Sequence, residues 1–316
     1  MSLTPGKAAR GVFILVVAAL LVLTVLDQGP ALGRALGNTS VTSVLLAVVA
    51  ALSGLLASGL CWRALLRALG SPLERQPALR IFFVGQLGKY VPGSVFAIAA
   101  QTELGRAHRL PRTRVVTAGL LLLAVLTATG LLVAVAVLPF ASPDVLNSYA
   151  WVLLFLPVGL AVLAPPVLEW FLTTALRFAR RPALDAALDR RALAASVGWA
   201  LVMWGCYGLH LLPLVLAQPH HGSWWRLLVT VTGGYALAWT AGFLFLIAPA
   251  GAGVREAVLV LALASALARP EATAVAILSR GVMTLGDLFW AAVLAPRPGK
   301  SLKSGDLQAS RGELDP

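Results

Sequence analysis

Seven stretches of about 20 apolar residues recur along the chain, and they constrain its fold more than any other feature. They occupy residues 11–28, 41–61, 115–138, 150–170, 193–217, 226–248 and 272–294. A helix of about 20 apolar residues crosses the ~30 Å hydrocarbon core of a bilayer. Only 12% of the 316 residues are charged, against about 25% in soluble domains. The sequence therefore predicts an all-α, polytopic membrane helix bundle, and excludes soluble or disordered chains.

We expect about eight membrane helices, with one or two re-entrant or broken hairpins. Residues 1–295 form a single integral membrane domain in this interpretation. The polar segment 296–316 is expected to be a disordered cytoplasmic tail.

The distribution of basic residues predicts the membrane topology. Of the 25 Lys and Arg residues, 19 fall in the stretches 1–10, 62–80, 101–114, 171–192 and 296–316. Cytoplasmic loops carry such an excess of Lys and Arg, so both termini are expected in the cytoplasm, in a bacterial cell membrane. The net charge of +12 does not predict nucleic-acid binding, because no recognition motif accompanies it.

Two shorter segments, 81–100 and 254–268, interrupt this pattern. Basic residues flank 81–100 on both sides, which predicts a re-entrant hairpin that turns near Val91, Pro92 and Gly93. The alternative is an amphipathic elbow on the membrane surface. Segment 254–268 is only about 22 Å long as a helix, too short to cross.

A weak internal repeat relates the two halves of the chain. At an offset of 157 residues, Gly85 matches Gly242 and Pro92 matches Pro249. Three crossings in each half would invert the second half relative to the first, giving halves 1–140 and 149–295. Inverted repeats with broken helices are typical of transporters. In the alternative, 226–268 makes two full crossings instead of a hairpin.

The predicted breaks carry candidate anion-binding residues. At the first break, Lys89 precedes Pro92 and Gly93, and the helix that restarts there would point free N–H groups at an anion. Alternatively, Lys89 only extends to the cytoplasmic interface. At the second break, Pro249 and Gly251 precede a helix start.

Charged residues near and within the last helices extend this candidate site. Arg255 and Glu256 lie in the first turn after the second break, where Glu256 also suits the helix dipole. Arg280 and Asp287 are seven residues apart on one face of the last span. Mid-membrane charges cost about 2.5–3.5 kcal/mol each, so they should face a protein interior or a cavity. We expect either structural pairs (Glu256 with Arg280, or Arg255 with Asp287) or a charged cleft.

Other polar residues give weaker signals. Arg106 could reach a phosphate from the cytoplasmic side, or anchor the interface beside Glu103. His210 is expected to be a hydrogen-bonded core residue. Cys61 and Cys206 lie in predicted spans, and the adjacent histidines at 220–221 lack a third ligand, so no metal site or cofactor is predicted.

Three motifs together resemble a known family. They are GQLGKYVPGS (85–94), PAGAGVREA (249–257) and SRGVMTLGD (279–287). The chain is similar over most of 11–295 to the flippase-like membrane domain of lysylphosphatidylglycerol synthase, which also occurs as stand-alone membrane proteins. The resemblance implies re-entrant segments and movement of aminoacylated or other anionic lipids across the bilayer. Since no soluble aminoacyl-transfer domain accompanies this chain, we expect no enzymatic activity.

The sequence thus predicts a lipid transporter, or flippase, for an anionic phospholipid, an aminoacyl lipid or a polyprenyl-phosphate-linked glycolipid. The candidate substrate-binding residues are Lys89, Pro92, Gly93, Arg106, Pro249, Gly251, Arg255, Glu256, Arg280 and Asp287. One alternative is a non-catalytic membrane partner of a glycosyltransferase or lipid-modifying enzyme. A third is a small-solute or ion carrier with Asp287 or Glu256 as its proton site.

Overall fold

The computed structural model describes residues 33–90, 96–142, 189–244 and 253–295, together with isolated positions between 154 and 174. In these ranges the chain is helical and contains no strand. The helices are α1 (Val41–Ala68), α2 (Arg75–Gln86), α3 (Phe96–Arg106), α4 (Arg112–Val137), α5 (Arg190–Leu216), α6 (Trp224–Leu244), α7 (Val254–Leu263) and α8 (Arg269–Leu294). Short 3-10 turns continue α2 through Leu87–Tyr90 and α4 through Leu138–Ala141.

Five of these helices, α1, α4, α5, α6 and α8, are long and apolar enough to cross a membrane. They coincide with five of the seven predicted spans. The other two predicted spans, 11–28 and 150–170, lie outside the continuously described residues, as does the tail 296–316. The all-helical membrane fold is therefore confirmed, and the count of eight membrane helices stays a prediction.

Local sequence signals determine where these helices begin. The Ser40 hydroxyl accepts a hydrogen bond from the Ser43 N–H at the start of α1, and the Asp189 carboxylate accepts from two backbone N–H groups of α5. Such caps satisfy N–H groups that have no partner within the helix. Helix α8 begins with a proline in its first turn, where the missing N–H costs nothing.

A core of mainly Leu and Ala side chains, with aromatic rings among them, holds the bundle together. Helix α1 packs most extensively against α5, and the Trp204 indole of α5 donates a 2.9 Å hydrogen bond to the buried Thr129 hydroxyl of α4. In contrast, Val41, Leu45 and Val49 on α1 are 59–76% exposed. A row of exposed apolar side chains like this one is typical of a surface that faces lipid rather than water.

Helices α2 and α3 fold back on each other as an antiparallel hairpin. A Cβ added at Gly85 would lie 2.4 Å from Gln101 Cγ, and one added at Gly88 would lie 2.7 Å from the Ala97 backbone nitrogen. The two helices therefore approach almost backbone to backbone, which only glycine permits. At 12 and 11 residues they are about 18 Å and 17 Å long, well short of the ~30 Å core.

This hairpin corresponds to the predicted re-entrant segment, although it is longer than 81–100 and its turn at 91–95 lies outside the described residues. Phe82 and Phe83 are each 1% exposed and belong to the main core. The hairpin is thus inserted between α1 and α8. This burial favours the inserted hairpin over the surface elbow, because an elbow on the surface would leave these rings at the membrane interface; the depth of the hairpin in the membrane stays a prediction.

Helices α6 and α7 form a second pair of helices that pack on each other. Helix α7 has 10 residues and packs on α6, where a Cβ at Gly234 would lie 2.9 Å from Ala262 Cβ. Helix α6 has 21 residues, or about 32 Å. It is therefore long enough to cross the membrane fully, as in the alternative in which 226–268 makes two full crossings. Adding 157 to the residue numbers that bound α4 gives the bounds of α8. Adding 157 to the bounds of α3 gives those of α7 to within one residue.

Candidate functional site

A cavity of about 100 Å³ lies where the two short-helix elements meet the long helices. Apolar and aromatic side chains form about half of its lining, and charged and uncharged polar side chains form the rest. Four of the predicted site residues, Lys89, Arg255, Arg280 and Asp287, line it. The other lining residues are Leu55, Ser58, Phe82, Gln86, Tyr90, Leu126, Met203, Tyr207, Trp239, Met283 and Thr284. The fold thus brings charges from separate parts of the sequence to one cavity.

Asp287 of α8 ties the first hairpin to the last helix. Its Oδ2 atom lies 2.6 Å from Lys89 Nζ and accepts a 2.6 Å hydrogen bond from the Tyr90 hydroxyl. The Asp287 side chain is 4% exposed and that of Lys89 is 31% exposed. Charge-assisted bonds of this length are the stronger class of hydrogen bond, so they hold the end of the Leu87–Tyr90 turn against α8.

Glu256 of α7 makes the second ion pair. One carboxylate oxygen accepts a 3.2 Å hydrogen bond from Arg280 Nη1, and the other accepts a 2.7 Å bond from the Gly253 N–H. Gly253 has a φ of 85°, in the left-handed region that favours glycine. The same carboxylate therefore holds α8 and closes the start of α7, where a negative charge suits the helix dipole.

Arg255 has no carboxylate partner among the described residues. Its guanidinium lies over the Tyr235 ring, 4.6 Å from the ring centre, in a cation–π contact. Although the residue as a whole is partly exposed, its Nη2 atom is buried and has no hydrogen-bond partner within the described part of the chain. A buried donor without a partner is uncommon in folded proteins, and Arg255 also lines the cavity.

Burial also changes the titration of two of these groups, both outside the five long apolar helices. Burial and the nearby Asp287 carboxylate raise the pKa of the Tyr90 hydroxyl, so it stays protonated and donates to Asp287. Burial, followed by repulsion from Arg280, lowers the pKa of Arg255 to about 10. Arg255 is therefore still cationic at neutral pH.

The predicted site residues fall into three groups in the structure. Lys89, Arg255, Arg280 and Asp287 line the cavity, and Glu256 contacts it through Arg280. Arg106 is exposed at the end of α3 and pairs with Glu103 at 2.9 Å, outside the set of lining residues. Pro92, Gly93, Pro249 and Gly251 lie outside the described residues.

The structure also decides between the predicted ion pairs. The pairing of Glu256 with Arg280 is confirmed. The predicted pairing of Arg255 with Asp287 is wrong, because Asp287 forms its ion pair with Lys89 of the first hairpin instead. Sequence spacing could not reveal this partner, which lies 198 residues away in the chain.

Sequence reasoning missed several lining residues, above all Tyr90, Tyr207 and Trp239. Tyr90 had a usable signal, since it stands next to Lys89 in the glycine-rich motif. Tyr207 and Trp239 lie within apolar spans and had none. His210 is a hydrogen-bonded core residue as predicted: its ring nitrogens contact the Tyr207 carbonyl and, at 2.8 Å, the Ser279 hydroxyl.

Comparison with known proteins agrees with the sequence motifs. A family model described as "Lysylphosphatidylglycerol synthase TM region" matches residues 11–291. This range includes every helix of the structure up to most of α8, and all of the cavity. A comparison with curated protein sequences finds no significant match.

Proposed function

Because the chain belongs to the lysylphosphatidylglycerol synthase TM region family, we propose that it is a transporter, or flippase, that moves an anionic lipid across the cell membrane. The phosphate of the lipid occupies the charged cavity, and the acyl or polyprenyl tails stay in the bilayer. The lipid is an anionic phospholipid, an aminoacyl lipid or a polyprenyl-phosphate-linked glycolipid. In this proposal the protein carries out no covalent chemistry.

One observation carries the proposal: three cations, Lys89, Arg255 and Arg280, converge on one small cavity in a membrane protein. Charged side chains at membrane depth are costly and mark substrate or ion pathways. The cavity measures about 100 Å³, whereas pockets that enclose a whole drug-sized ligand measure ~300–1,000 Å³, so in this proposal it receives the phosphate and not the whole headgroup. The remainder of a headgroup would extend beyond it.

The proposed transport cycle uses two inverted halves, 1–140 and 149–295. The repeated bounds of α3–α4 and α7–α8 support this arrangement, because matched helix lengths at one offset are unusual without a common origin. Transporters of this kind place the substrate between the halves and rock one half against the other. The basic loops place both termini in the cytoplasm in this proposal.

The test is lipid movement in reconstituted vesicles. Fluorescent phosphatidylglycerol is placed in one leaflet, and a membrane-impermeant quencher removes the fluorescence of lipid that reaches the other leaflet. The rate of fluorescence loss is compared with that in protein-free vesicles. We expect Arg255→Gln and Lys89→Gln to slow movement about tenfold or more, because each removes charge-assisted contacts worth ~1.5–3 kcal/mol. Arg106→Gln removes an exposed arginine outside the cavity and is expected to act as wild type.

The alternative function, a non-transporting partner of a glycosyltransferase or lipid-modifying enzyme, has one observation in its favour. The exposed arginines Arg67, Arg75, Arg106, Arg109 and Arg112 could form an acidic partner's docking surface. Co-purification of such an enzyme, combined with lipid movement no faster than in protein-free vesicles, would favour this alternative over transport.

A further inference from the structure

We propose that Tyr235 is a positioning residue for Arg255: its aromatic ring holds the guanidinium in the cavity wall, so that the N–H groups of the guanidinium can donate to an anionic ligand. This inference rests on the proposed function, since that ligand is the lipid phosphate. Tyr235 itself is outside the set of residues that line the cavity, so it acts through Arg255.

The Tyr235 ring of α6 is held firmly by side chains of α5. Tyr235 is 0% exposed, and its ring centre lies 4.7 Å from that of His210 and 5.3 Å from that of Tyr207. Both contacts are edge to face, an arrangement that aromatic pairs favour. The His210 ring is in turn held by the Tyr207 carbonyl and the Ser279 hydroxyl. Tyr235 therefore offers a rigid surface to whatever lies on it.

Arg255 lies on this surface, with its Cζ atom 4.6 Å from the ring centre. A cation–π contact uses the charge of the guanidinium and does not need its N–H groups as hydrogen-bond donors. A carboxylate partner would take one or two of those donors. The ring therefore stabilises a cation in the cavity wall without using the groups that would bind a phosphate oxygen.

Two carboxylates would compete for Arg255 if the ring did not hold it. Asp287 and Glu256 both attract the Arg255 guanidinium electrostatically, although each is bonded to other groups. A carboxylate can accept about four hydrogen bonds, so either could also accept Arg255. Loss of the ring should therefore turn the Arg255 donors away from the ligand, even though the charge of the site stays the same.

The hydroxyl of Tyr235 is not needed for this role. It is buried and has no hydrogen-bond partner in the described part of the chain. Tyr235→Phe keeps the face of the ring, so this variant should bind lipid as wild type does. A fall in affinity on loss of the hydroxyl alone would contradict a role of the ring.

The test weakens the face of the ring without changing its shape. Tyr235 is replaced by phenylalanine and by phenylalanines with increasing numbers of ring fluorine atoms, which withdraw negative charge from the face. Phosphatidylglycerol is titrated into phosphatidylcholine nanodiscs that hold the full chain, and native mass spectrometry counts the lipid retained. We expect the affinity to fall stepwise with fluorination, by about tenfold for the fully fluorinated ring. Tyr235→Leu, which removes the ring, should lose about as much.

Two controls isolate the contact with Arg255. In an Arg255→Gln background the fluorinated series should have no further effect, because the cation is gone. The same series at Phe83 should leave the affinity unchanged. Phe83 is 1% exposed and stacks on Trp290, outside the set of lining residues. A general effect of fluorine on packing would appear at both positions.

The outcomes separate this inference from the proposed function. An affinity that does not follow fluorination, or a decline that persists in Arg255→Gln, would overturn the positioning role and leave the transporter proposal standing. If wild-type protein retains phosphatidylglycerol no better than Arg255→Gln does, both are overturned.

Discussion

Breaking the Lys89–Asp287 pair from one side is expected to cost more than removing both charges. Asp287→Asn keeps the shape of the side chain but leaves the Lys89 ammonium unpaired, in a cavity that also holds Arg255 and Arg280. Combining Asp287→Asn with Lys89→Met leaves no unpaired ion. The double variant should therefore be more stable than the sum of the single effects predicts.

The exposure of the two side chains determines the expected magnitude. Exposed ion pairs contribute ~0–1 kcal/mol, whereas losing one partner of a buried pair costs ~3–5 kcal/mol. Asp287 is 4% exposed and Lys89 is 31% exposed, so this pair lies between the two cases. We expect a coupling free energy of about 2 kcal/mol between the two positions.

The assay is a double-mutant cycle on the free energy of unfolding, measured by denaturant titration in lipid–detergent micelles. The control cycle combines Glu103→Gln with Arg106→Gln, a pair at 2.9 Å whose side chains are 68% and 56% exposed. Its coupling should stay below ~0.5 kcal/mol. If Lys89 and Asp287 are also additive to within ~0.5 kcal/mol, the pair does not hold the hairpin to α8.

Two further predictions test the hairpin and the access to the cavity. Gly88→Ala should destabilise the protein by ~1–3 kcal/mol, because the added Cβ would lie 2.7 Å from the α3 backbone. The control is Gly281→Ala, whose added Cβ would have no atom within 4 Å. In thermal unfolding this control should be neutral or stabilising. Equal effects would contradict the close approach. In a Cys206→Ser background, a cysteine introduced by Thr284→Cys in the cavity wall should react with a membrane-impermeant thiol reagent. The buried Cys61 should not react. If Thr284→Cys does not react from either side of the membrane, the cavity is not open to water.

The long apolar helices were predictable from the sequence because span length is a local property. Any chain segment with about 20 apolar residues must satisfy its backbone as a helix in lipid, whatever its neighbours are. The observed bounds of α4 and α8 lie within three residues of the predicted spans 115–138 and 272–294. The short segments were also detectable, since their length and flanking charges are visible in the sequence alone.

Only the tertiary structure decided how the charges are paired. Arg280 and Glu256 were a predicted pair, because each required a partner and they lie in neighbouring helices. Asp287 instead meets Lys89, which folding of the first hairpin against α8 brings to 2.6 Å. For the same reason Arg255 has no carboxylate partner in the described part of the chain, and its guanidinium lies over the Tyr235 ring. Burial and charge balance depend on which helices pack together, and that information is not contained in any single segment.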